Sequence, residues 1–245
     1  MISVLITGAK GFLGKNLILE LRKNTSLNIM EFVREDDAGK LRGLIVKSDF
    51  IFHFAGEVRP DSSDDAFIQS NANLTGLIIQ IIERANKKIP ILLASSIHSE
   101  SARNEYGKTK RQSEILIEKY ANKNNVDCYI YKLSHVFGEG CKPNYNSAIS
   151  TWIYNVINDL EVVVYDRGIE MNYIYVQDLI IEFIDAMNMH KKGGYLKSKY
   201  AHQTNLGEVV DFIKEFKENE NNSNYSIGSN EFKNKLFLTY KSYLN

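Results

Sequence analysis

The chain has 245 residues, enough for one large domain or for one domain with a small additional lobe. Its 30 lysines and arginines balance its 30 aspartates and glutamates, so no excess charge favours nucleic acid or an anionic membrane as a partner. No apolar run approaches the roughly 20 residues that span a bilayer, and the N-terminus has no signal-peptide pattern. Cys128 and Cys141 lack metal-ligand spacing. We therefore expect a cytoplasmic protein with free thiols and no bound metal.

Short apolar runs alternate with longer helical patterns in the first part of the chain, which is typical of a parallel sheet covered by helices on both faces. The predicted strands are residues 4–6, 29–33, 49–55, 91–94 and 128–133. The predicted helices are residues 13–21, 74–85 and 105–120. The pattern predicts an α/β fold, a Rossmann-type doubly wound parallel sheet, with ligands bound at the carboxyl ends of the strands.

The alternation weakens after residue 138. The sequence there predicts a loop over residues 138–146, a helix around Trp152, strands at 162–165 and 173–175, a helix from Asp178 and a polar surface loop over residues 218–229. We interpret residues 1–138 mainly as a dinucleotide-binding domain. Residues 139–245 would mainly form a small C-terminal substrate-binding lobe, interleaved with the sheet edge.

A glycine-rich turn follows the first predicted strand and opens the first predicted helix. Glycine permits positive φ and close backbone approach, and a helix N-terminus presents free N–H groups to a pyrophosphate. The position of the turn directly after Val-Leu-Ile-Thr strengthens this interpretation. The expected cofactor contacts in this turn are Gly8, Lys10, Gly11, Phe12, Leu13 and Gly14.

The end of the second predicted strand should contact the adenosine ribose of the cofactor. Arg34 stands there and Lys10 lies in the neighbouring turn, and two cations favour the 2′-phosphate of NADP(H). Alternatively, Arg34 pairs with Glu35 or Asp36, which keeps NAD(H) possible. We predict NADP(H) as the preferred cofactor.

Tyr106 and Lys110 lie four positions apart, so a helix projects both from one face. A nearby ammonium lowers the pKa of a phenol, which would suit Tyr106 for proton transfer near neutral pH. Alone, this spacing is common on helix surfaces. Together with the glycine turn and the Ser95–Ser96 pair upstream, it indicates a nicotinamide-dependent enzyme.

These motifs resemble the extended short-chain dehydrogenase/reductase family over nearly the whole chain. The motifs are Thr7-Gly8-x-x-Gly11-x-x-Gly14, His53-Phe54-Ala55-Gly56, Asn73-Leu74-Thr75-Gly76, Ser95-Ser96 and Tyr106-x-x-x-Lys110. A narrower resemblance is to the reductase domain of capsular-polysaccharide enzymes of the CapF type. It rests on the run from Gly8, on Ala-Gly-x-x-Arg-Pro ending at Pro60, on Ser-Ser-Ile from Ser95, on residues 141–147 and on the C-terminal residues 239–244.

The resemblance implies NADPH-dependent reduction of the 4-keto group of a UDP-2-acetamido-2,6-dideoxy-hexulose, on the route to an N-acetyl-fucosamine-type sugar of capsule or O-antigen. CapF-like proteins continue into a metal-binding cupin domain, so this chain would correspond to the reductase half. The resemblance also implies a homodimer that associates through long helices.

The resemblance implies a role for each matching residue. Ser96 would bond the substrate oxygen, Tyr106 would be the general acid, and Lys110 would hold the nicotinamide ribose. Further cofactor contacts would come from Phe54, Ala55, Gly56 and Asn73. Lys142, Asn144 and Tyr145 would face the substrate.

The chain departs from the family pattern at three points. His135 replaces an asparagine before Val-Phe-Gly near the nicotinamide. Arg167 is a candidate for the phosphate-binding arginine that relatives carry at the position of Met171. The segment after Ser96 is one residue longer, so His98 or Ser99 could replace Ser96 in polarising the substrate.

Two alternatives to a reductase stay open. The first is another nucleotide-sugar enzyme: a 4-epimerase would keep NAD tightly bound, and a 4,6-dehydratase is disfavoured because Ile97-His98 stands where Asp-Glu is usual. The second is a non-catalytic nucleotide-binding scaffold of the same fold.

Overall fold

The computed structural model describes residues 1–59, 62–188 and 192–244, and its chain divides into two compact units. The first unit comprises Met1–Leu133 and Ile180–Ser198, and the second comprises Ser134–Leu179 and Lys199–Asn245. The second unit thus begins near the boundary predicted at residue 138, and a later segment returns to the first unit. The assignment of cofactor binding to one unit and substrate binding to the other stays a prediction.

The described residues contain nine strands in two sheets. The strands are β1 (Ile2–Thr7), β2 (Leu27–Phe32), β3 (Phe50–His53), β4 (Ile91–Ser96), β5 (Tyr129–Leu133), β6 (His135–Phe137), β7 (Glu170–Tyr175), β8 (Gly194–Leu196) and β9 (Ala201–Asn205). The first unit holds a six-stranded sheet of order β2-β1-β3-β4-β5-β8, in which every pair is parallel. The prediction of a Rossmann-type α/β fold is therefore confirmed.

The helices of the first unit cover this sheet. They are α1 (Phe12–Leu21), α2 (Ala38–Lys47), α3 (Asp64–Phe67), a π-helical segment (Ile68–Asn73), α4 (Leu74–Arg84), α5 (His98–Ser101) and α6 (Glu105–Asn124). Strands β3 and β4 are buried along their whole length, as expected of central strands covered on both faces. Their apolar side chains pack with those of α4 and α6, for example Ile51 and Leu93 with Ile78 and Ile117.

The second unit contains the three-stranded sheet β6-β7-β9 and the helices α7 (Ala148–Ile157), α9 (Leu206–Glu218) and α10 (Glu231–Lys241). Helix α8 (Val176–Met187) follows β7 and continues from this unit into the first. Strand β6 pairs with β7 in parallel, and β7 pairs with β9 antiparallel. An aromatic and aliphatic core that includes Phe137, Trp152 and Phe216 holds these elements together.

Some predicted elements were wrong or missing. Residues 162–165 form no strand, although their valines favour one, because no described strand pairs with them. Val162 and Val164 instead pack against the core of the second unit. Helices α2, α3, α5, α9 and α10 and strands β6, β8 and β9 were not predicted. Helices α3 and α5 and strands β6 and β8 are only three or four residues long, and α2, α9, α10 and β9 lie in sequence of mixed polarity.

None of the described helices combines the length and the apolar character needed to cross a bilayer. Within the described residues, no group of three or more histidine, cysteine, aspartate or glutamate side chains could hold a metal ion. Both cysteines are free and buried.

Candidate active site

The glycine turn after β1 is shaped by close backbone contacts. Gly8 has a φ of +70°, and a Cβ there would lie 2.7 Å from the backbone nitrogen of Ala55. A Cβ on Gly14 would lie 2.4 Å from the carbonyl oxygen of Gly8 and 2.8 Å from the Cα of Ala9. No side chain larger than hydrogen fits at either position, so the turn, α1 and the segment after β3 approach one another through bare backbone.

The N-terminus of α1 can accept an anion. Gly11 precedes the helix and provides no side-chain cap, so side chains do not occupy the first N–H groups, which belong to Phe12, Leu13 and Gly14. These groups and the helix dipole favour a phosphate at this end. The cradle therefore fits the pyrophosphate of a dinucleotide.

Lys10 and Arg34, the two cations predicted to contact the adenosine ribose of the cofactor, both have carboxylate partners. Lys10 pairs with Glu35 at 3.2 Å, and both side chains are exposed. Arg34 pairs with the buried carboxylate of Glu57 at 2.8 Å, and not with Glu35 or Asp36 as the sequence suggested. Glu57 was not a predicted site residue, because nothing in its local sequence marks it as the partner of a residue 23 positions away.

The segment after β3 lies beside the glycine turn. The Ala55 backbone N–H donates to the Thr7 hydroxyl at 3.2 Å, and the Phe54 ring packs on Phe183 with 5.3 Å between ring centres. A Cβ on Gly56 would lie 2.4 Å from Asn71 Oδ1 and 3.4 Å from Lys110 Nζ. Gly56 is thus the point at which this segment approaches the catalytic candidates. Pro60, the last residue of the Ala-Gly-x-x-Arg-Pro motif, lies outside the described residues.

His53 connects this segment to α4 through a buried hydrogen-bond chain. Its Nδ1 lies 2.8 Å from the Thr7 hydroxyl, and its Nε2 lies 2.9 Å from the Thr75 hydroxyl. Thr75 donates its proton to the carbonyl oxygen of Asn71, so the neutral ring donates from Nε2 and accepts at Nδ1. Burial, together with the charge of Lys110, lowers the pKa of His53 to about 3.

The two neighbouring asparagines of the π-helical segment face different surroundings. Asn73, the predicted cofactor residue, is exposed and donates to Gln69 at 3.1 Å. Asn71 is buried, donates to Thr109 at 3.1 Å, and directs its Oδ1 towards Gly56. The structure thus brings Asn71, which the sequence analysis missed, next to the catalytic candidates; a π-helical turn shifts which side chains face inward.

Ser96 and Tyr106 meet at the carboxyl end of β4. Asn104 caps α6 by accepting from the Gly107 N–H at 2.8 Å, which sets Tyr106 in the first turn. A Cβ on Gly107 would lie 2.5 Å from the carbonyl oxygen of His98, so only glycine allows α6 to approach α5 this closely. The Tyr106 ring lies between Phe67 and His98, with ring centres 5.9 Å and 6.0 Å away.

The predicted lowering of the Tyr106 pKa was wrong. Burial raises the pKa of this phenol, and a hydrogen bond with the Ser96 side chain opposes the increase only in part. Lys110 does not lower the pKa of this phenol: its Nζ lies 5.9 Å from the ring centre and donates to the carbonyl oxygen of Ala94 at 3.0 Å. Tyr106 is therefore a protonated phenol near neutral pH.

Lys110 itself is almost fully buried. Burial lowers its pKa to about 8, and the negative charge of Glu114 opposes that shift. The ammonium form still predominates at neutral pH, with hydrogen-bond donors that can serve a ribose hydroxyl.

Glu114 fixes the turn between β4 and α5. Its buried carboxylate accepts hydrogen bonds from Ser95 and Ser99, each at 2.5 Å, and from Arg111 at 2.9 Å. Ser99 thus faces the interior, while His98 is exposed beside Tyr106. Of the two predicted substitutes for Ser96, only His98 lies next to the catalytic phenol.

The second unit carries the other predicted residues. The loop of Lys142, Asn144 and Tyr145 is folded onto the start of α7: the Asn144 N–H donates to the Thr151 hydroxyl at 2.9 Å, and Ser150 donates to the carbonyl oxygen of Lys142 at 3.0 Å. The side chains of all three predicted residues are exposed.

Arg167 and His135 have partners within the second unit. Arg167 donates to both carboxylate oxygens of Asp211 at 2.7 Å and to the Gly207 carbonyl oxygen at 3.2 Å. His135, in β6, packs on Tyr173 with ring centres 5.9 Å apart. Asp211 therefore already balances the charge of the predicted phosphate-binding arginine.

The chain matches a protein-family model. The NAD dependent epimerase/dehydratase family model matches residues 4–197. That range includes the glycine turn, the Ser96–Tyr106–Lys110 set and the loop of Lys142.

The chain is similar to several individual proteins. It is 32% identical over 242 residues to a UDP-2-acetamido-2,6-beta-L-arabino-hexul-4-ose reductase from Pseudomonas aeruginosa, covering 98% of this chain and 64% of the relative. It is 36% identical to the capsular polysaccharide assembling protein CapF from Staphylococcus aureus, with a TM-score of 0.88, covering 99% of this chain and 66% of that structure. The chain thus spans slightly less than two thirds of the length of both.

A more distant structure shares the fold alone. The UDP-N-acetylglucosamine 4-epimerase from Methanobrevibacter ruminantium has a TM-score of 0.84 at 16% identity, covering 99% of this chain and 98% of that structure.

The predicted resemblance to the extended short-chain dehydrogenases, and to the CapF type in particular, is confirmed.

Proposed function

The chain belongs to the NAD dependent epimerase/dehydratase family, and on this basis we propose that it is an NADPH-dependent reductase of a UDP-linked 4-ketosugar. The substrate would be a UDP-2-acetamido-2,6-dideoxy-hexulose, used in making a capsule or O-antigen sugar of the N-acetyl-fucosamine type. The observation that carries the proposal is the meeting of Ser96 and Tyr106 at the carboxyl end of β4, with Lys110 one helical turn further along α6. The 32% identity to a hexul-4-ose reductase supports the choice of substrate.

Tyr106 and Ser96 would have separate roles in the proposed reaction. NADPH, when bound, would supply a hydride to the ketone carbon. Tyr106 would protonate the oxygen as it becomes an alkoxide, a role that suits a phenol whose pKa is raised. Ser96 would hydrogen-bond the same oxygen more strongly as negative charge develops.

The remaining residues would hold the reactants. The backbone N–H groups of Phe12, Leu13 and Gly14 would donate to the pyrophosphate, and the ammonium of Lys110 would bond the nicotinamide ribose. Holding donor and ketone in contact is worth several kcal/mol of the barrier, about 7–11 kcal/mol in the best intramolecular cases.

We further propose that the exposed loop of Lys142, Asn144 and Tyr145 binds the nucleotide sugar, with His98 beside Tyr106 as a second contact. Lysine and asparagine side chains suit the diphosphate and the hydroxyl groups of such a ligand. Arg167 would reach a phosphate only after releasing Asp211, so it is the weaker candidate.

We also propose a homodimer that associates through α4 and α6. These helices line a surface groove of about 610 Å³ with a mostly apolar lining that includes Gly76, Leu77, Ile115 and Leu116. Burial of such a surface by a second copy would be favourable. Light scattering of the purified chain should give a mass close to twice 28.0 kDa.

The experiment that tests the proposed reaction is NADPH oxidation with a panel of UDP-4-keto-6-deoxy-hexosamine isomers, followed by NMR of the product. Turnover of one isomer with consumption of one NADPH per reduced sugar is expected. Copurified NAD with interconversion of 4-hydroxyl epimers would instead make the chain an epimerase. Ligand binding without turnover of any isomer would make it a scaffold.

A further inference from the structure

A buried carboxylate joins the turns that follow β2 and β3. Glu57 is 2% exposed and accepts hydrogen bonds from the backbone N–H groups of Val58 at 3.0 Å and Arg59 at 3.1 Å. It also accepts from the Arg34 guanidinium at 2.8 Å and from Arg59 Nε at 3.3 Å. One side chain thus holds two arginines from different turns.

The carboxylate of Glu57 is charged, and the side chains that it holds reach the solvent. Burial opposes ionisation of Glu57, but the hydrogen bonds from Arg34 and Arg59 outweigh it and lower its pKa to about 2. The carboxylate is therefore negative at neutral pH and anchors both arginines. The Arg34 and Arg59 side chains are 71% and 41% exposed, so both can be reached from the solvent side of the cluster.

The cluster borders the glycine turn. The Gly8 N–H donates to the carbonyl oxygen of Phe32, two residues before Arg34, at 3.0 Å. On the other side, Gly8 packs against the backbone of Phe54 and Ala55, two residues before Glu57. The two arginines therefore flank the end of the cradle where the adenosine ribose of a dinucleotide lies.

Lys10 differs from the two arginines in the exposure of its carboxylate partner. Its ammonium pairs with Glu35, and both side chains of this pair are exposed to water, whereas Glu57 is buried. Exposed ion pairs of this kind contribute little, typically about 0–1 kcal/mol. A guanidinium held in place by a buried carboxylate loses less entropy on binding a phosphate than a flexible lysine does.

We propose that Arg59 is a second specificity-determining residue that, together with Arg34, binds the 2′-phosphate of NADPH, with Glu57 as the residue that positions both. This inference rests on the proposed function for its cofactor. Each guanidinium offers planar N–H donors that match phosphate oxygens, and two of them around one phosphate discriminate strongly against a free 2′-hydroxyl.

The test measures binding of NADPH and NADH to the purified full chain by isothermal titration. Arg59→Ala and Arg34→Ala should each weaken NADPH binding by about tenfold or more and change NADH binding less than about threefold. Arg22→Ala is the matched control, because it removes an exposed arginine that pairs with Glu31 outside this cluster, and it should leave the ratio of the two affinities within about threefold.

Glu57→Gln separates positioning from charge. It removes the negative charge of Glu57 and with it the ionic anchor of both arginines. If Glu57 positions the two arginines, Glu57→Gln should weaken NADPH binding and lower the preference for NADPH over NADH. A higher preference in this variant would overturn the positioning role of Glu57. Arg59→Lys keeps the charge, so it should retain part of the preference, and thermal melting confirms that each variant is folded.

The outcomes also separate this inference from the proposed function. Equal losses of NADPH and NADH binding in Arg59→Ala would overturn the role of Arg59, as would a wild-type chain without a preference for NADPH. Either result leaves a reductase that uses NADH intact. If the wild-type chain binds neither NADPH nor NADH, the proposed function itself is overturned.

Discussion

The ammonium of Lys110 lies 5.9 Å from the centre of the Tyr106 ring and donates its hydrogen bond to a main-chain carbonyl instead of the phenol. The four-residue spacing places both on one face of α6, but the ring turns towards Ser96, and Lys110 points to Ala94 in β4. The two side chains therefore differ in charge near neutral pH: Tyr106 is a protonated phenol, and Lys110 is a buried cation.

Tyr106→Phe should lower the rate of ketone reduction by about 10²–10⁴-fold, because the ring stays in place while the proton donor is lost. NADPH affinity should change little, since the hydroxyl is not proposed to hold the cofactor tightly. Stopped-flow oxidation of NADPH measures the first quantity and titration the second. Tyr165→Phe, at a fully exposed position, is the matched control. Undiminished turnover in Tyr106→Phe would eliminate this residue as the acid.

Lys110→Met should change how stability depends on pH. The Lys110 pKa is about 8 in the folded chain and 10.5 in the unfolded chain, so the unfolded state binds more protons between these values. Lys110 therefore destabilises the fold below pH 8, by an amount on the order of 3 kcal/mol, and this cost disappears as the pH rises to 10.5.

Urea unfolding of wild type and Lys110→Met at pH 7, 8, 9 and 10 measures this effect. The wild-type free energy of unfolding should rise relative to that of the variant across this range. Tyrosines and cysteines titrate there too, but they are common to both proteins and cancel in the difference. A difference that is constant with pH would contradict an unusual pKa at Lys110.

His53 should make the fold sensitive to acid. Its pKa is about 3 in the folded chain against 6.5 unfolded, so its contribution is complete above pH 6.5 and is lost as the pH falls towards 3. Between pH 7 and pH 5 the loss is about 2 kcal/mol. His53→Leu should be less stable at pH 7, because Thr7 and Thr75 lose their partner, but should lack this pH-dependent loss. Parallel acid dependence of both proteins in urea unfolding would refute the prediction.

Gly14→Ala should disrupt the cofactor cradle, because its Cβ would lie 2.4 Å from the Gly8 carbonyl oxygen and backbone atoms cannot move aside cheaply. We expect a lower melting temperature and at least about tenfold weaker binding of both NADPH and NADH. Gly43→Ala is the matched control, since nothing lies within 4 Å of a Cβ at this position of α2. That variant should bind normally and gain up to about 1 kcal/mol of helix stability.

Local features of the sequence predicted strands β1 to β5 and helices α1, α4 and α6 of the first unit. The buried strands β1, β3, β4 and β5 are short apolar runs, and helix α6 begins at a capping residue, Asn104. The hydrophobic pattern is therefore enough to predict these strands, and the cap is enough to predict where α6 begins. Elements of mixed polarity were missed, since β9 depends on pairing with β7 and α10 depends on packing in the core of the second unit, and not on their own propensity.

The sequence by itself predicted the residues that are proposed to carry the chemistry, because the glycine turn and the Tyr-x-x-x-Lys spacing each lie within a few positions of one chain segment. Only the tertiary structure decided their partners: Glu57 for Arg34, Ala94 for Lys110, and Asp211 for Arg167. It also decided the direction of the Tyr106 pKa, since burial outweighed the expected influence of Lys110. Hydrogen bonds, ion pairs and desolvation depend on distances through space, and residues far apart in the sequence set those distances.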